Sequence, residues 1–386
     1  MMKAACFVTA AAMVFVCAAA VLAQGERGPV NILDFEQHAL EVGTDREDWQ
    51  PAFQEAIAKA KDQQRALYVP GGEYSIRKAI TLRPVQRPNG GWYKEPRIYG
   101  DGMYHSVIRQ MVETENCVDW TGETYENGAA YGQLEHIMLT GGKITLNLKW
   151  HNNFKLDSCR ISGARQYGIY TEGWTSRFLN SFIRWCYEAG FYGYAHYNNA
   201  VIRDCYFGRC KVGALIHGGH GSRINGCGFE HCAQSAVMLR NVKGFSISDS
   251  YFEGDGYLDS KHFEAESPAN MIEIGFNSRS VSIHDCILRY QQDPDGALIG
   301  ISDLDVGHIY DNLFWINNPV QNGILLMEKC RHRPDWDNKI SRVIVEGNNA
   351  HNVRSLLTEQ VDGLVEKARE NGSSFQWEIG DSAMEE

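Results

Sequence analysis

Glu172, Tyr194, His217 and Arg240 follow one another at spacings of 22, 23 and 23 residues. They supply a carboxylate, a phenol, an imidazole and a guanidinium. Such a set can take a proton from carbon, give one to oxygen and hold an anion while charge develops. The groups meet only if the chain returns to the same place every 22 or 23 residues, so the rest of the sequence has to provide that return.

It does so with two phrases that keep step. The first is "KLDSCRISG" from Lys155, "FLNSFIRWC" from Phe178, "VIRDCYFGR" from Val201, "RINGCGFEH" from Arg223, "SISDSYFEG" from Ser246, "SIHDCILRY" from Ser282 and "IYDNLFWIN" from Ile309. The position of Cys159 is then filled by Phe182, Cys205, Cys227, Ser250, Cys286 and Asn312, at spacings of 23, 23, 22, 23, 36 and 26. The second phrase includes "GIYTE" at Gly168, "GFYGY" at Gly190, "GALIH" at Gly213 and "AVMLR" at Ala236, each a short alternating strand. Strands this close, with no amphipathic helix between them, do not form helix-covered units. They fit an all-β solenoid, a parallel β-helix with about three strands per turn.

In such a coil, equivalent residues stack about 4.8 Å apart. Alternation places Ile169, Phe191, Ala214 and Val237 inward. Tyr170 and Glu172, Tyr192 and Tyr194, Leu215 and His217, and Met238 and Arg240 then point outward. The four chemical groups fall within about 15 Å, three rung steps. His196 and His220 fall in the turn after these strands, where either can lean over the face. Glu273 is a further outward candidate, two rungs along.

A second wall is expected from the turn before these strands: Arg209, Lys211, Glu230, His231, Glu253, Asp255, Arg289 and Trp315. Glu230 and Glu253 occupy equivalent positions in neighbouring rungs, as paired carboxylates for glycoside hydrolysis would. Long loops at Gly254 and Glu328 interrupt otherwise tight turns and suit the rim of a site.

The same ladder accounts for the cysteines. Cys159, Cys205, Cys227 and Cys286 read as one interior column, and Cys186, Cys210 and Cys232 as another. Asp204, Asp249, Asp285 and Asp311 read as a turn ladder capping backbone amides. Residues 1–23 read as an export signal: Lys3, an apolar run from Ala4 to Leu22, and Ala23 before the cut. A secreted or periplasmic protein without a membrane anchor after cleavage is expected. A net charge of −11, with no obvious basic patch, argues against nucleic acid as a partner.

The N-terminal part carries a family resemblance. "VNILDFEQHALEVGTDREDWQPAFQEAIAKA", then "LYVPGGEYSI" and "IYGDGMYHSVIRQ", resembles the first module of the pectate lyase superfamily. Asp34, Phe35, Gly43, Asp45, Asp48, Ala52, Ala56, Ile57, Pro70, Gly72 and Tyr74 match its pattern; Glu36, Gln37 and Trp49 depart from it. The resemblance implies a right-handed parallel β-helix with an N-terminal capping helix, which Asp48 as N-cap and the apolar face Trp49, Ala52, Phe53, Ala56, Ile57 and Ala60 support independently. The expected organisation is signal 1–23, N-terminal module and capping helix 24–96, coil 97–360, and C-terminal cap and tail 361–386, with a helix over "VDGLVEKARENG" and a loose tail after it.

The resemblance also implies a polysaccharide partner and a groove along the sheet of the "GIYTE" series. The leading expectation is a lyase that cleaves a uronic-acid-containing glycan by β-elimination, with Tyr194, His217, Arg240 and Glu172 as catalytic residues. Tyr170, Tyr192, His196, His220, Glu273, Glu230 and Glu253 would then bind substrate. A hydrolase using paired carboxylates, a non-catalytic glycan binder and a C5-epimerase stay open. Calcium is kept open as a cofactor with no site assigned, because no carboxylate cluster falls on the groove.

Overall fold

The computed structural model describes residues 28–42, 46–84, 95–124, 128–255, 269–291, 293 and 295–315, and from 322 to 379 all but 328, 331–332, 338, 352–354, 360–363 and 371. The expected export signal lies outside the described residues, as does most of the loop at Gly254; the loop at Glu328 instead includes a small antiparallel pair, Lys329–Cys330 with Arg333–Asp337. Nearly all strands join one continuous set of parallel pairings. A representative rung is Lys155–Asp157, Arg160–Ser162 and Tyr167–Glu172. Each strand pairs with its equivalent in the next rung, which makes three parallel sheets.

The interior follows from alternation. Leu156, Phe178, Ile202 and Ile224 line up on the first sheet. Ile161, Ile183, Phe207 and Phe229 do so on the second, and Ile169, Phe191, Ala214 and Val237 on the third. All are buried. Phe207, Phe229 and Phe252 stack nearly face to face, with ring centroids 4.7 and 5.0 Å apart. This column of apolar contact is continuous from rung to rung, so each turn stabilises the next.

The corner between the first and second sheets turns on one residue. Ser158, Asn180, Asp204, Asp249, Asp285 and Asp311 all have φ between 50° and 54°, and Gly226 and Gly347 have 63°. This is the left-handed region that Asp, Asn and Gly tolerate best. The Asp column therefore makes the corner; it was expected to cap backbone amides, and the next column does that instead. Ser181 Oγ accepts from Cys159 N at 3.1 Å, Ser250 Oγ from Cys227 N at 3.2 Å and Asn312 Oδ1 from Cys286 N at 3.0 Å.

The same ladder corrects one register. Phe182 pairs with Arg160 and Tyr206, so the equivalent of Cys159 is Ser181. Phe182 points outward and is 37 % exposed. Eight cysteines, Cys117 and the seven of the two columns, are free and buried.

Helix α1 (Gln50–Asp62) buries Ala52, Phe53, Ala56, Ile57 and Ala60 against the first strands of the coil. The N-cap is Trp49, which makes no side-chain capping bond, and not Asp48 as expected; Asp48 stands one residue earlier, where its Oδ1 accepts from Gln50 N at 3.1 Å and Arg77 N at 3.2 Å and ties the helix start to the coil. Parallel pairing already includes Leu67–Val69 and Gly72–Ile76, so it crosses residue 96. Helix α2 (Leu364–Glu370) forms as expected. The segment after it does not hang loose: Ser374–Ile379 pairs with Lys339–His351, with Val345 opposite Phe375. Its alternation of Phe375, Trp377 and Ile379 is that of a strand.

One buried group ties stability to pH. His151 is fully buried, edge-on to Trp120 at 5.7 Å and Phe154 at 5.0 Å. Burial pushes its imidazole down to about 3. The unfolded chain takes up that proton near the ordinary value of about 6.5, so stability falls as pH drops from about 6.5 toward about 3, by up to about 1.4 kcal/mol per pH unit. Urea unfolding at pH 7 and 5 checks this: His151→Phe is expected to flatten the slope, and an unchanged slope contradicts it.

Candidate functional site

The third sheet presents the chemical column. Its strands are β1 (Ile144–Lys149), β2 (Tyr167–Glu172), β3 (Ala189–Asn198), β4 (Val212–His220), β5 (Ser235–Arg240) and β6 (Ile272–Gly275). Thr171 pairs with Gly193, which sets Glu172 beside Tyr194. Tyr194 then pairs with His217, and His217 with Arg240. The expected set is therefore assembled on four consecutive rungs. It begins one rung earlier than sequence reading found, because Lys149 pairs with Glu172, and it ends at Gly275.

Local chemistry differs along the column. Tyr194 is 38 % exposed. His217 is half-buried, with its ring edge-on to Tyr194 at 5.3 Å and to Phe276 at 6.0 Å. Burial, and then the Arg240 cation, lower its pKa below the ordinary histidine value, so the imidazole is neutral at pH 7. Arg240 reaches back along its own strand, with Nη2 3.4 Å from Met238 Sδ.

Glu172 departs from expectation. It was read as an outward carboxylate, but only 7 % of it is exposed. Tyr170, two residues back on the same strand, donates its hydroxyl to Glu172 Oε1. Burial and this carboxylate raise the Tyr170 phenol. Four tyrosines form a connected group beside the column: Tyr167 to Tyr192 at 4.8 Å, Tyr170 to Tyr192 at 5.6 Å, and Tyr192 to Tyr194 at 5.6 Å. Burial raises Tyr167 and Tyr192 as well, so these phenols stay protonated and act as donors.

Other candidates lie elsewhere. Glu273 pairs with Met238 in the neighbouring column of Tyr170, Tyr192 and Leu215, and is buried. It does not meet Glu172, which is several rungs away. His196 is exposed, in the irregular stretch between Tyr194 and Tyr197 where Ala195 has φ 53°. His220 ends β4, where the strand has rounded the corner and pairs with Lys243 of the first sheet. Neither histidine belongs to the column.

The second wall is also relocated. Glu230 and Glu253 are register neighbours as expected, but they lie on strands of the second sheet, Gly228–Glu230 and Tyr251–Asp255. Arg289 and Trp315 continue that line. Tyr206 donates to Glu230 Oε2 at 2.8 Å, and Tyr251 donates to Glu253 Oε2. Arg289 Nη1 lies 3.5 Å from Glu253 Oε1. Asp255, expected on this wall, is fully buried, because Gly254 before it takes a left-handed φ of 66° and breaks the alternation at the start of the expanded loop. Among the described residues, no group of three or more His, Cys, Asp or Glu is placed to share a metal ion, and calcium enters no step below.

A coil of three parallel sheets whose third sheet carries a tyrosine-rich face with a phenol, an imidazole and a guanidinium on successive rungs defines a β-helix protein with an extended surface site. The family model described as a right handed beta helix region matches residues 144–349, more than half of the 386 residues, and the chain belongs to that family. The coil is thus right-handed.

No curated protein matches the sequence. The chain is similar in fold to the Azotobacter vinelandii mannuronan C-5 epimerase AlgE4 A-module, with TM-score 0.60 and 14 % identity, covering 90 % of this chain and 99 % of that one. The tailspike of Escherichia coli bacteriophage HK620, solved with a pentasaccharide, gives 0.64 and 10 %, over 94 % and 66 %. The Streptococcus pneumoniae surface adhesin PfbA gives 0.52 and 13 %, over 91 % and 93 %.

Proposed function

We propose that the protein is an exported polysaccharide lyase that cleaves a uronic-acid-containing glycan by β-elimination on the third sheet. The observation that carries this reading is the run Tyr194, His217, Arg240 on consecutive rungs, with a neutral imidazole between a phenol and a fixed cation. Arg240 binds the uronate carboxylate and stabilises the enolate-like charge. His217 takes the proton from the carbon next to that carboxylate. The electron pair forms the carbon–carbon double bond as the glycosidic carbon–oxygen bond breaks, and the Tyr194 hydroxyl gives its proton to the departing oxygen. The adjoining tyrosines offer flat faces for sugar rings. Export rests on the apolar N-terminal run, and the descriptions of two fold relatives name a glycan: one is a mannuronan epimerase, the other was solved with a pentasaccharide.

The competing hydrolase reading has one observation in its favour, the register pairing of Glu230 and Glu253. A screen of the purified protein against polyuronates and neutral glycans separates the readings. Ultraviolet absorbance from an unsaturated product, seen with a polyuronate only, is the expected result. New reducing ends without that absorbance point to the hydrolase. Altered uronate stereochemistry without cleavage points to an epimerase, and binding without any product to an adhesive role.

A further inference from the structure

A second feature lies outside the column, on the turns that join the second sheet to the third. A cavity of about 410 Å³ opens there, lined by Arg109, Glu113, Arg165, Trp185 and Tyr187 among others. That volume falls within the range of about 300 to 1,000 Å³ typical of small-molecule sites. Its turns run directly into the strands that carry Tyr167 and Tyr192, so it borders the N-terminal half of the tyrosine face.

The floor of the cavity has a cause in the ladder. Gly141, Gly163 and Trp185 occupy equivalent left-handed positions, with φ 82°, 71° and 59°. A side chain at Gly141 would strike Gln110 O at 2.5 Å, and one at Gly142 would strike Glu115 O at 2.6 Å. Gly141 and Gly142 thus pack closely on the rung before, whereas at Gly163 a side chain would meet Thr140 Oγ1 only at 3.4 Å, so the bare backbone of Gly163 is what leaves room, with Trp185 at its edge.

The lining is suited to a sugar acid. Each aromatic ring is buttressed by a guanidinium: Arg209 lies 4.9 Å from the Trp185 ring and Arg165 lies 4.7 Å from the Tyr187 ring. Arg165 pairs with Glu113, and Arg109 pairs with Glu73 at 2.6 Å. All four partners are substantially exposed, so these pairs are weak and a ligand can replace one member. The cavity wall itself holds two arginines against one glutamate, an excess of positive charge on a chain of net charge −11.

We infer that this cavity is a second binding site for the same polymer, taking one pyranose unit that bears a carboxylate. Its ring lies against Trp185 and Tyr187, and its carboxylate replaces Glu113 on Arg165. Holding the polymer at two places raises its effective concentration at the column without changing the chemistry there. This rests on the uronate reading above.

The test measures binding of polygalacturonate, alginate and carboxyl-reduced polygalacturonate by affinity electrophoresis, in a His217→Ala background that leaves the polymer uncut. Trp185→Ala and Arg165→Ala are each expected to weaken polyuronate binding about tenfold or more. Glu113→Gln is expected to tighten it, a gain that damaged folding does not produce. With His217 present, cleavage of short oligomers by the three cavity variants is expected to stay unchanged. Polyuronate binding that is indifferent to all three variants overturns the site and leaves the elimination reading standing. Equal retention of the carboxyl-reduced polymer overturns the carboxylate assignment. Failure of the unsubstituted protein to bind or cut either polyuronate removes the uronate reading, and this site with it.

Discussion

His217→Ala is expected to lower the rate of unsaturated-product formation by about 10² to 10⁴, the loss usual for a general acid or base. Tyr194→Phe should do the same, because only the proton-bearing oxygen is removed and the ring remains. Arg240→Lys keeps the charge but gives up the planar fork, so it should raise KM and lower kcat together. None of the three changes should move the thermal midpoint much, since Tyr194 and His217 are partly exposed. The pH profile adds a sign. His217 is held below the ordinary histidine value by burial and by Arg240, so activity should persist as pH falls through about 6.5 and be lost only below that point. Arg240→Gln removes one cause of the depression and should move the acid limb upward. Near-normal unsaturated product from both His217→Ala and Tyr194→Phe refutes the assignment.

The coil was legible because its period is carried by residue types with few alternatives. A buried Cys or Ser beside a left-handed Asp or Asn, followed by an inward Phe or Ile, repeats in a fixed order, and the ladder in the structure shows why: each member fills the space above its predecessor. The slip at Phe182 arose where that signal failed. "FLNSFIRWC" has Ser at the column position and an aromatic residue next to it, and apolarity alone favoured the wrong one. The column of Tyr194, His217 and Arg240 was legible for the same reason as the core, since period-two alternation fixes which side chains leave the sheet. Its energetics were not. Nothing in the sequence says that Tyr170 takes up Glu172, that β3 bends between Tyr194 and Tyr197, or that β4 carries His220 on to another sheet. The cavity at Trp185 was invisible too, because it depends on the close packing of Gly141 and the missing side chain of Gly163. Only a three-dimensional stack turns that absence into a space.

Asp255→Asn is expected to stabilise the protein, and more so as pH rises. The Asp255 side chain is fully buried beside Cys232, whose backbone N–H donates to Oδ1 at 2.7 Å. Oδ2 has no hydrogen-bond partner. Removing a carboxylate from water with one acceptor site unmet disfavours ionisation, and burial pushes the group up to about 8. In the unfolded chain the same carboxyl ionises near 3.9. Between those values the folded protein keeps a proton that the unfolded chain releases, so the contribution of this group to stability is most favourable below about pH 4 and declines as pH rises toward about 8. The full window corresponds to about 3 kcal/mol or more at pH 8. Asparagine preserves the oxygen that accepts from Cys232 and cannot ionise. The gain should therefore be large in urea titrations at pH 8 and shrink toward pH 4, where both side chains are neutral. A gain or loss that is constant across this range would mean that Asp255 is already neutralised in some other way. Because the residue precedes the expanded loop, the same substitution separates a structural cost from a catalytic one: an Asp255→Asn protein that is more stable and cuts glycan at the normal rate places this carboxyl outside the chemistry, whatever its pKa.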